Sequence, residues 1–241
     1  MHPFHASHPR IAARVSYVGE LGWELYAPAE TLRALYAALR TAADALPEVA
    51  AAGGLRDIGY YAIESLRVER GYRALPADIA ADTTPFEAGL GWAVKLNKAR
   101  ATDTVGHAAL TAAKAKGVPA RRLVHFAFID SDVYAHGDEP LFVGGVPVGW
   151  TTSVAWSGSA HRCIGMGNVS LPPEAPPSPA AEAEAEAEAP GDVRGALWAP
   201  FLASTEGLWE AEVFGVKRRL TAVGLQALYD PTGERVRMDG E

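Results

Sequence analysis

The chain contains 241 residues, of which 49% are hydrophobic and 21% are charged, and its formal net charge is -7 at pH 7. This length accommodates one large domain or two small ones and is sufficient to bury a hydrophobic core. Nucleic acid is not an expected partner, because the densest basic cluster, Lys217-Arg218-Arg219, falls within a strand-like segment. A membrane is not expected either, because no apolar run approaches the roughly 20 residues of a transmembrane helix.

The cysteine content and the first residues bear on the cellular compartment. Cys163 is the one cysteine of the chain and has no partner for an internal disulfide, which favours a reducing environment. We expect it to be a small buried side chain. The first ten residues, MHPFHASHPR, contain neither an apolar signal core nor a transit-peptide pattern, so this segment predicts no compartment.

The residues from 11 to 26 predict two short strands. The alternation in IAARVSYV, which begins at Ile11, is typical of a strand. Gly19 and Gly22 then break the pattern, and Trp23-Glu24-Leu25-Tyr26 resumes it. We therefore predict a hairpin or a bent strand.

Two amphipathic helices are predicted next. Apolar residues recur at helical spacing from Ala29 to Ala45, with Pro28 near the first turn. After Gly53-Gly54, a second apolar stripe runs from Leu55 to Leu66. Gly71 is expected to end this second helix.

The second half of the chain predicts one helix and a small barrel. The helix extends from about Gly106 to Lys116 and is closed by a glycine and a proline. Beyond it the pattern changes to that of several short strands separated by glycine turns, which is typical of an antiparallel β-barrel. The predicted strands are Arg121–Ile129, Leu141–Val143, Val146–Val154, Arg162–Val169, Trp209–Phe214 and Lys217–Leu225.

One segment interrupts the predicted barrel. The stretch PPEAPPSPAAEAEAEAEAPGD, at about residues 172–195, contains proline, alanine and alternating glutamate but no apolar face. Ordering it would gain too little burial to offset the loss of conformational entropy. We therefore expect a disordered insert.

The segment SYVGELGWELY, residues 16–26, suggests a ligand site. If Trp23 and Leu25 point into the core, strand alternation turns Glu24 and Tyr26 to the opposite face. A carboxylate can accept two parallel N–H donors from an amino-pyrimidine edge, and an aromatic ring supplies stacking area. These residues favour a pterin-type site. The alternative, which they leave open, is that Glu24 is a solvated strand residue.

Other polar residues give weaker indications. Tyr60, Glu64 and Arg67 could form a polar ladder on one helix face, although an ordinary ion pair between Glu64 and Arg67 explains the pattern as well.

No metal site is predicted. His2, His5 and His8 recur every three residues near the N-terminus, but this segment is interrupted by proline, so we expect adventitious metal binding or none.

The sequence contains no G-x-G-x-x-G that follows a strand and opens a helix, no phosphate-binding P-loop and no G-x-S-x-G elbow. This argues against a flavin or nucleotide domain.

Three segments together resemble a known family. SYVGELGWELY, GLRDIGYYAIESLRVERGYRALPADIAADTTPFEAGLGWAVKLNK and LYDPTGERVR are similar to the glycine-cleavage T-protein (aminomethyltransferase) family. The similarity is greatest to its copy at the C-terminal end of sarcosine and dimethylglycine dehydrogenases. It extends from about Ile11 to Arg237, apart from the insert.

The resemblance implies a tetrahydrofolate site in a central cleft. The tyrosine of the family's Tyr-Thr-Gly-Glu motif falls on Tyr17, and the carboxylate that binds the pterin falls on Glu24. An aromatic residue that closes the site in some relatives falls on Tyr229. No residue of this chain is expected to be catalytic and no FAD is expected, because the family's catalytic aspartate and the flavin domain lie in segments that precede the first motif.

The resemblance also identifies one departure from the family. An arginine that helps to hold the folate tail falls on Ile63, and an apolar side chain cannot neutralise the tail's carboxylates. Binding of the tail therefore requires a substitute, for which Arg56 and Arg67 are the candidates.

The expected fold is α+β. It consists of a partial folate-binding domain at residues 1–118, followed by the T-protein C-terminal β-barrel domain at residues 119–241. We expect a folate-binding module of a tetrahydrofolate-dependent aminomethyltransferase or a sarcosine/dimethylglycine dehydrogenase-like protein, inactive alone. A chain or segment that supplies the missing N-terminal half is an expected partner.

Two alternatives remain open at this point. One is a noncatalytic regulatory module similar to the regulatory subunit of pyruvate dehydrogenase phosphatase, so the assignment as an enzyme is undecided. The other is a nonfunctional fragment with an exposed apolar edge. The resemblance implies the mitochondrial matrix for a eukaryotic protein and the cytoplasm for a bacterial one.

Overall fold

The computed structural model describes residues 11–97, 103–117, 119–171 and 198–230. Within this part, the chain forms two compact units, one that includes residues 11–64 and one that includes residues 65–230. The predicted domain boundary near residue 118 stays a prediction, and the predicted insert at 172–195 lies outside the described residues. No described helix is long and apolar enough to cross a membrane.

The first unit begins with a two-stranded ribbon. Strand β1 (Ile11–Ala13) pairs antiparallel with β2 (Glu24–Tyr26), and Ala12 lies opposite Leu25. The prediction that the first strand continues to Val18 is wrong, because β1 ends at Ala13. Beyond it, the Ser16 hydroxyl accepts a 2.9 Å hydrogen bond from the backbone N–H of Gly19, and this local bond competes with strand pairing.

Helices follow the ribbon. Helix α1 (Ala29–Asp44) confirms the predicted amphipathic helix and starts after Pro28. A short helix, α2 (Pro47–Ala51), was not predicted and begins with a proline at its first position, where no backbone N–H is needed.

Helix α3 (Tyr60–Glu69) starts later than predicted. The preceding residues stay outside the helix, and the Asp57 carboxylate there accepts hydrogen bonds of 2.7 and 2.8 Å from the Tyr36 hydroxyl. The helix ends as predicted at Gly71, which has a φ of 68°. The N–H of Gly71 donates to the carbonyl of Val68 and that of Tyr72 to the carbonyl of Arg67, which is the Schellman arrangement.

The second unit contains a closed six-stranded antiparallel barrel, which confirms the predicted α+β fold class. The strands are β3 (Arg121–Phe128), β4 (Pro140–Val143), β5 (Val146–Ser157), β6 (Arg162–Ser170), β7 (Trp209–Val213) and β8 (Val216–Gly224). Their order around the barrel is β3-β6-β5-β4-β7-β8.

Two helices accompany the barrel strands in the chain. Helix α4 (His107–Ala115) precedes β3 and confirms the predicted helix. Helix α5 (Trp198–Ser204) precedes β7 and was not predicted.

Large aromatic side chains fill the barrel core. Phe126 and Phe128 are fully buried and meet edge to face, with ring centroids 5.7 Å apart. Trp198 of α5 is also fully buried, and its indole N–H donates a 3.2 Å hydrogen bond to the carbonyl of Pro119. Cys163 is buried as predicted. At Gly149, a Cβ atom would lie 1.8 Å from the carbonyl oxygen of Asn168, so this strand pair requires glycine.

Candidate functional site

The turn between β1 and β2 forms a small cavity in the first unit. Its volume is about 250 Å³. The turn depends on glycine, because Gly19 has a φ of 81° and a Cβ atom at Gly22 would lie 3.0 Å from the carbonyl oxygen of Val15. The residues that line the cavity are Arg14, Val15, Ser16, Glu20, Leu21 and Gly22.

Glu24 and Tyr26 lie on the same face of β2, as the alternation predicts, and both are exposed. The Tyr26 hydroxyl donates a short hydrogen bond to Oε2 of Glu24. This bond raises the pKa of Tyr26, because loss of the phenolic proton would remove the bond and place two negative charges together. Sequence reasoning did not predict this hydrogen bond between the Tyr26 hydroxyl and Glu24.

The condition that both Trp23 and Leu25 point into a core is met only for Leu25. Leu25 is half-buried, but Trp23 is 60% exposed and does not point into a core. Trp23 lies outside β2, in the turn, so strand alternation does not govern its direction.

The other predicted folate residues lie in different elements. Tyr17 is in the turn between β1 and β2 and is 44% exposed. Tyr229, in the second unit, is half-buried, and its backbone N–H donates a 3.3 Å hydrogen bond to the carbonyl of Glu69. The roles of Tyr17, Glu24 and Tyr229 in folate binding stay predictions.

Arg67 has an internal role that argues against its use as a substitute for the folate-tail arginine. Its side chain is 1% exposed, and it forms an ion pair of 2.6 Å with Asp78. It also donates to the hydroxyl of Ser153 at 2.6 Å and to the carbonyl of Tyr72 at 3.0 Å. Arg56, by contrast, is exposed. Arg56 is therefore the candidate that remains.

Asp78 is a buried residue that sequence reasoning missed. Besides the Arg67 guanidinium, its carboxylate accepts hydrogen bonds from the N–H of Ala74 at 2.8 Å and from the hydroxyls of Thr152 and Ser153 at 2.5 and 2.7 Å. Thr152 and Ser153 are far from Asp78 in the sequence, so no local pattern signals this network. It holds the end of α3 against β5 within the second unit.

Histidines of the described part form no metal centre. No group of three or more His, Cys, Asp or Glu side chains is placed to hold an ion among the residues that the structure describes. His125 is buried, and burial together with the charge of Arg73 lowers its pKa to about 3. The histidines considered as adventitious ligands, His2, His5 and His8, lie outside the described residues.

Comparison with known proteins places both parts of the chain in one family. Residues 4–98 match the GCVT N-terminal domain, and residues 121–230 match the glycine cleavage T-protein C-terminal barrel domain. The chain belongs to the glycine cleavage T-protein family. The resemblance stated from the sequence is thereby confirmed.

Individual relatives of this T-protein chain include two kinds of enzyme. The chain is 40% identical over 163 residues to mitochondrial dimethylglycine dehydrogenase of Homo sapiens. The aligned segment covers 68% of this chain and 18% of that protein. It is also 36% identical over 158 residues to an aminomethyltransferase of Lysinibacillus sphaericus, and this alignment covers 66% of the chain and 40% of that protein. The chain thus spans less than half the length of these relatives.

A solved structure shows the same fold. The glycine cleavage system aminomethyltransferase T from Bartonella henselae superposes with a TM-score of 0.64 at 24% sequence identity. The match covers 90% of this chain and 48% of that one.

Proposed function

We propose that this chain binds tetrahydrofolate through Glu24. It would do so as the folate-binding module of an aminomethyltransferase or of a sarcosine/dimethylglycine dehydrogenase-like protein. Its family and its relatives, which include sarcosine dehydrogenase and dimethylglycine dehydrogenase of Homo sapiens, support this ligand and its context in one-carbon metabolism. Tetrahydrofolate supplies the amine nitrogens that accept a one-carbon unit.

The chemistry of Glu24 fits a pterin. Its carboxylate is exposed, and the described hydrogen bond from Tyr26 involves Oε2. A carboxylate can accept about four hydrogen bonds, so capacity remains for the two parallel N–H donors of an amino-pyrimidine edge. This exposed, oriented carboxylate is the observation that carries the proposal.

The proposal assigns supporting parts to two further residues. Tyr17 is exposed in the turn before β2 and offers ring area for stacking. Arg56 is exposed and can pair with a carboxylate of the folate tail, which Ile63 cannot.

Calorimetric titration of the full chain with tetrahydrofolate tests the proposal. Replacing Glu24 by Gln removes the charge but keeps the side-chain shape, so Glu24→Gln should weaken binding by about 1.5–3 kcal/mol, the range for a hydrogen bond to a charged group. Glu30→Gln is the matched control, because Glu30 is an exposed carboxylate in the first turn of α1. The control should bind as the unmodified chain does.

Two outcomes would contradict the proposal. One is an equal loss of affinity in Glu24→Gln and Glu30→Gln, which would indicate a general effect of charge. The other is the absence of tetrahydrofolate binding by the folded, unmodified chain.

We also propose that another polypeptide segment covers the first unit. Among residues 11–64, Leu35 is the one large apolar side chain that is buried, whereas Trp23, Ile58, Tyr60 and Tyr61 are exposed. Ile and Trp side chains are on average largely buried in folded proteins, so their exposure here favours a covering segment. The segment would belong either to a longer form of this chain or to a partner, and catalysis by the complete protein would depend on it.

The compartment is a proposal of the same kind. The dehydrogenase relatives are mitochondrial by name, which supports the mitochondrial matrix, whereas the aminomethyltransferase relatives from bacteria support the cytoplasm. Fractionation of cells that contain the protein, with antibody detection, distinguishes the two.

A further inference from the structure

Another cavity lies in the second unit, between α5 and the barrel. Its volume is about 380 Å³, which is larger than that of the cavity in the turn between β1 and β2 and within the range of sites for small organic molecules. The described residues that line it belong to α5 and the turn that follows it, to β7 and β8, or directly follow β3. All of them are part of one compact unit.

The inner wall of this cavity is apolar and fixed. Trp209 and Leu220 are each 2% exposed and belong to the barrel core. Leu202 and Val223 pack against that core. The indole N–H of Trp209 donates a 3.0 Å hydrogen bond to the hydroxyl of Thr205, which in turn donates to a carbonyl of α5 at 2.7 Å. A hydrocarbon group placed against this wall leaves water for a surface that is already ordered.

The solvent-facing side of the cavity is polar. Among the described residues of the lining, Glu206 is the one with an ionisable side chain, and Thr221 adds a hydroxyl. Both residues are exposed. Glu206 also follows the C-terminal end of α5, where the carbonyl groups of a helix add negative potential. The charge that this cavity favours is therefore positive.

We propose that this cavity binds a small organic amine. The hydrocarbon part of the ligand packs against Trp209 and Leu220, and its protonated amino group pairs with the carboxylate of Glu206. Glu206 repels an anion, and an uncharged molecule does not gain the ion pair. This site does not depend on the proposed function, because none of the predicted folate residues lines it.

NMR titration of the full ¹⁵N-labelled chain with cyclohexylmethylamine tests the site. This amine is protonated at pH 7 and combines an apolar ring with one ammonium group. It should shift the backbone amide resonances of Gly207 and Thr221 and bind with a Kd on the order of 1 mM, as expected for a ligand with so few atoms. Cyclohexylmethanol has a similar shape without the charge, and its Kd should be higher by a factor of about two to five.

Two substitutions on α5 test the location. Ala203 lines the cavity and Ser204 does not, although both are exposed residues of the same helix. Ala203→Phe should fill part of the cavity and raise the Kd of the amine at least about tenfold, whereas Ser204→Phe should leave it unchanged. If Ala203→Phe does not fold, Thr221→Phe replaces it, because Thr221 lines the cavity from an exposed position on β8 and aromatic residues suit strands.

Glu206→Gln tests the charge. It should raise the Kd of the amine by a factor of about two to five, the range for an exposed ion pair, and leave the Kd of the alcohol unchanged. Glu212→Gln is the control, since Glu212 is a half-buried carboxylate of β7 that does not line the cavity. This control should bind both ligands as the unmodified chain does.

Three results would overturn the proposal. If neither ligand shifts the resonances of the folded, unmodified chain, the cavity is not a binding site. Equal Kd values in the two α5 variants would place the ligand elsewhere. A change in Glu206→Gln that is the same for amine and alcohol, or the same as in Glu212→Gln, would show that Glu206 does not select a cation.

Discussion

At the scale of single residues, the ion pair between Arg67 and Asp78 is a buried contact of the second unit. Both side chains are almost completely buried. Removing one partner of a buried pair leaves the other charge uncompensated in a low-dielectric interior, so Arg67→Met should lower the free energy of unfolding by about 3–5 kcal/mol. Urea denaturation measures this change.

An exposed ion pair provides the comparison. Arg40 and Asp57 are 3.2 Å apart with side chains 40% and 69% exposed, and Arg40→Met should cost at most about 1 kcal/mol. Similar losses in the two variants would show that burial does not set the contribution of the Arg67 pair.

His125 predicts a pH dependence at the same scale. Burial lowers its pKa from 6.5 to about 3 in the folded protein, so between these values the unfolded chain binds a proton that the folded chain does not. The stability from a neutral, buried His125 is present above pH 6.5 and is lost as the pH falls towards 3. Its contribution should be at most about 1.4 kcal/mol per pH unit.

The variant His125→Gln isolates this contribution from that of the carboxylates. Urea unfolding between pH 4.5 and 7 should give a steeper loss of stability on acidification for the unmodified chain than for the variant. Parallel profiles would mean that His125 is not held neutral in the fold.

At the scale of elements, the end of α3 depends on Gly71. A Cβ atom there would lie 2.4 Å from Cε1 of His125, and the residue has a positive φ. Gly71→Ala should therefore lower the free energy of unfolding by about 2–5 kcal/mol, from backbone strain and overpacking together. Thermal or urea denaturation measures it.

Gly106 separates those two effects. It precedes α4 with a φ of 84°, but a Cβ atom there meets nothing within 4 Å. Gly106→Ala should cost only the backbone term of about 1–2 kcal/mol. A loss in Gly71→Ala no larger than in Gly106→Ala would contradict the proposed close contact with His125.

At the scale of the whole molecule, the exposed apolar side chains of the first unit predict self-association. Tyr61 is 94% exposed at the start of α3. In sedimentation velocity, the average sedimentation coefficient of the unmodified chain should rise with concentration, and Tyr61→Lys should reduce this rise.

Phe214 supplies the control for added charge. It is 82% exposed between β7 and β8, in the second unit, so Phe214→Lys introduces the same charge away from the first unit. An equal effect of both substitutions, or a monomer at every concentration, would argue against a covering segment on the first unit.

The sequence by itself determined the elements whose signal is local. Alternation with a period of two identified the six barrel strands, and helical periodicity identified α1. The helix α4 was predicted from the glycine and the proline that close it. Gly71 ended α3 as predicted, because a positive φ after the last helical turn favours glycine over other residues. The family motifs, which are also continuous in sequence, identified the T-protein family. The folate roles that they imply for Tyr17, Glu24 and Tyr229 stay predictions.

Only the tertiary structure decided the contacts between residues distant in sequence. It placed Arg67 on Asp78, bound Asp78 to Thr152 and Ser153, and joined Arg70 to Asp230. These partners belong to different elements, and a periodic pattern within one element carries no information about what packs against it. The condition that Trp23 points into a core was also decided only by the structure, because Trp23 lies in the turn before β2, where alternation does not govern its direction.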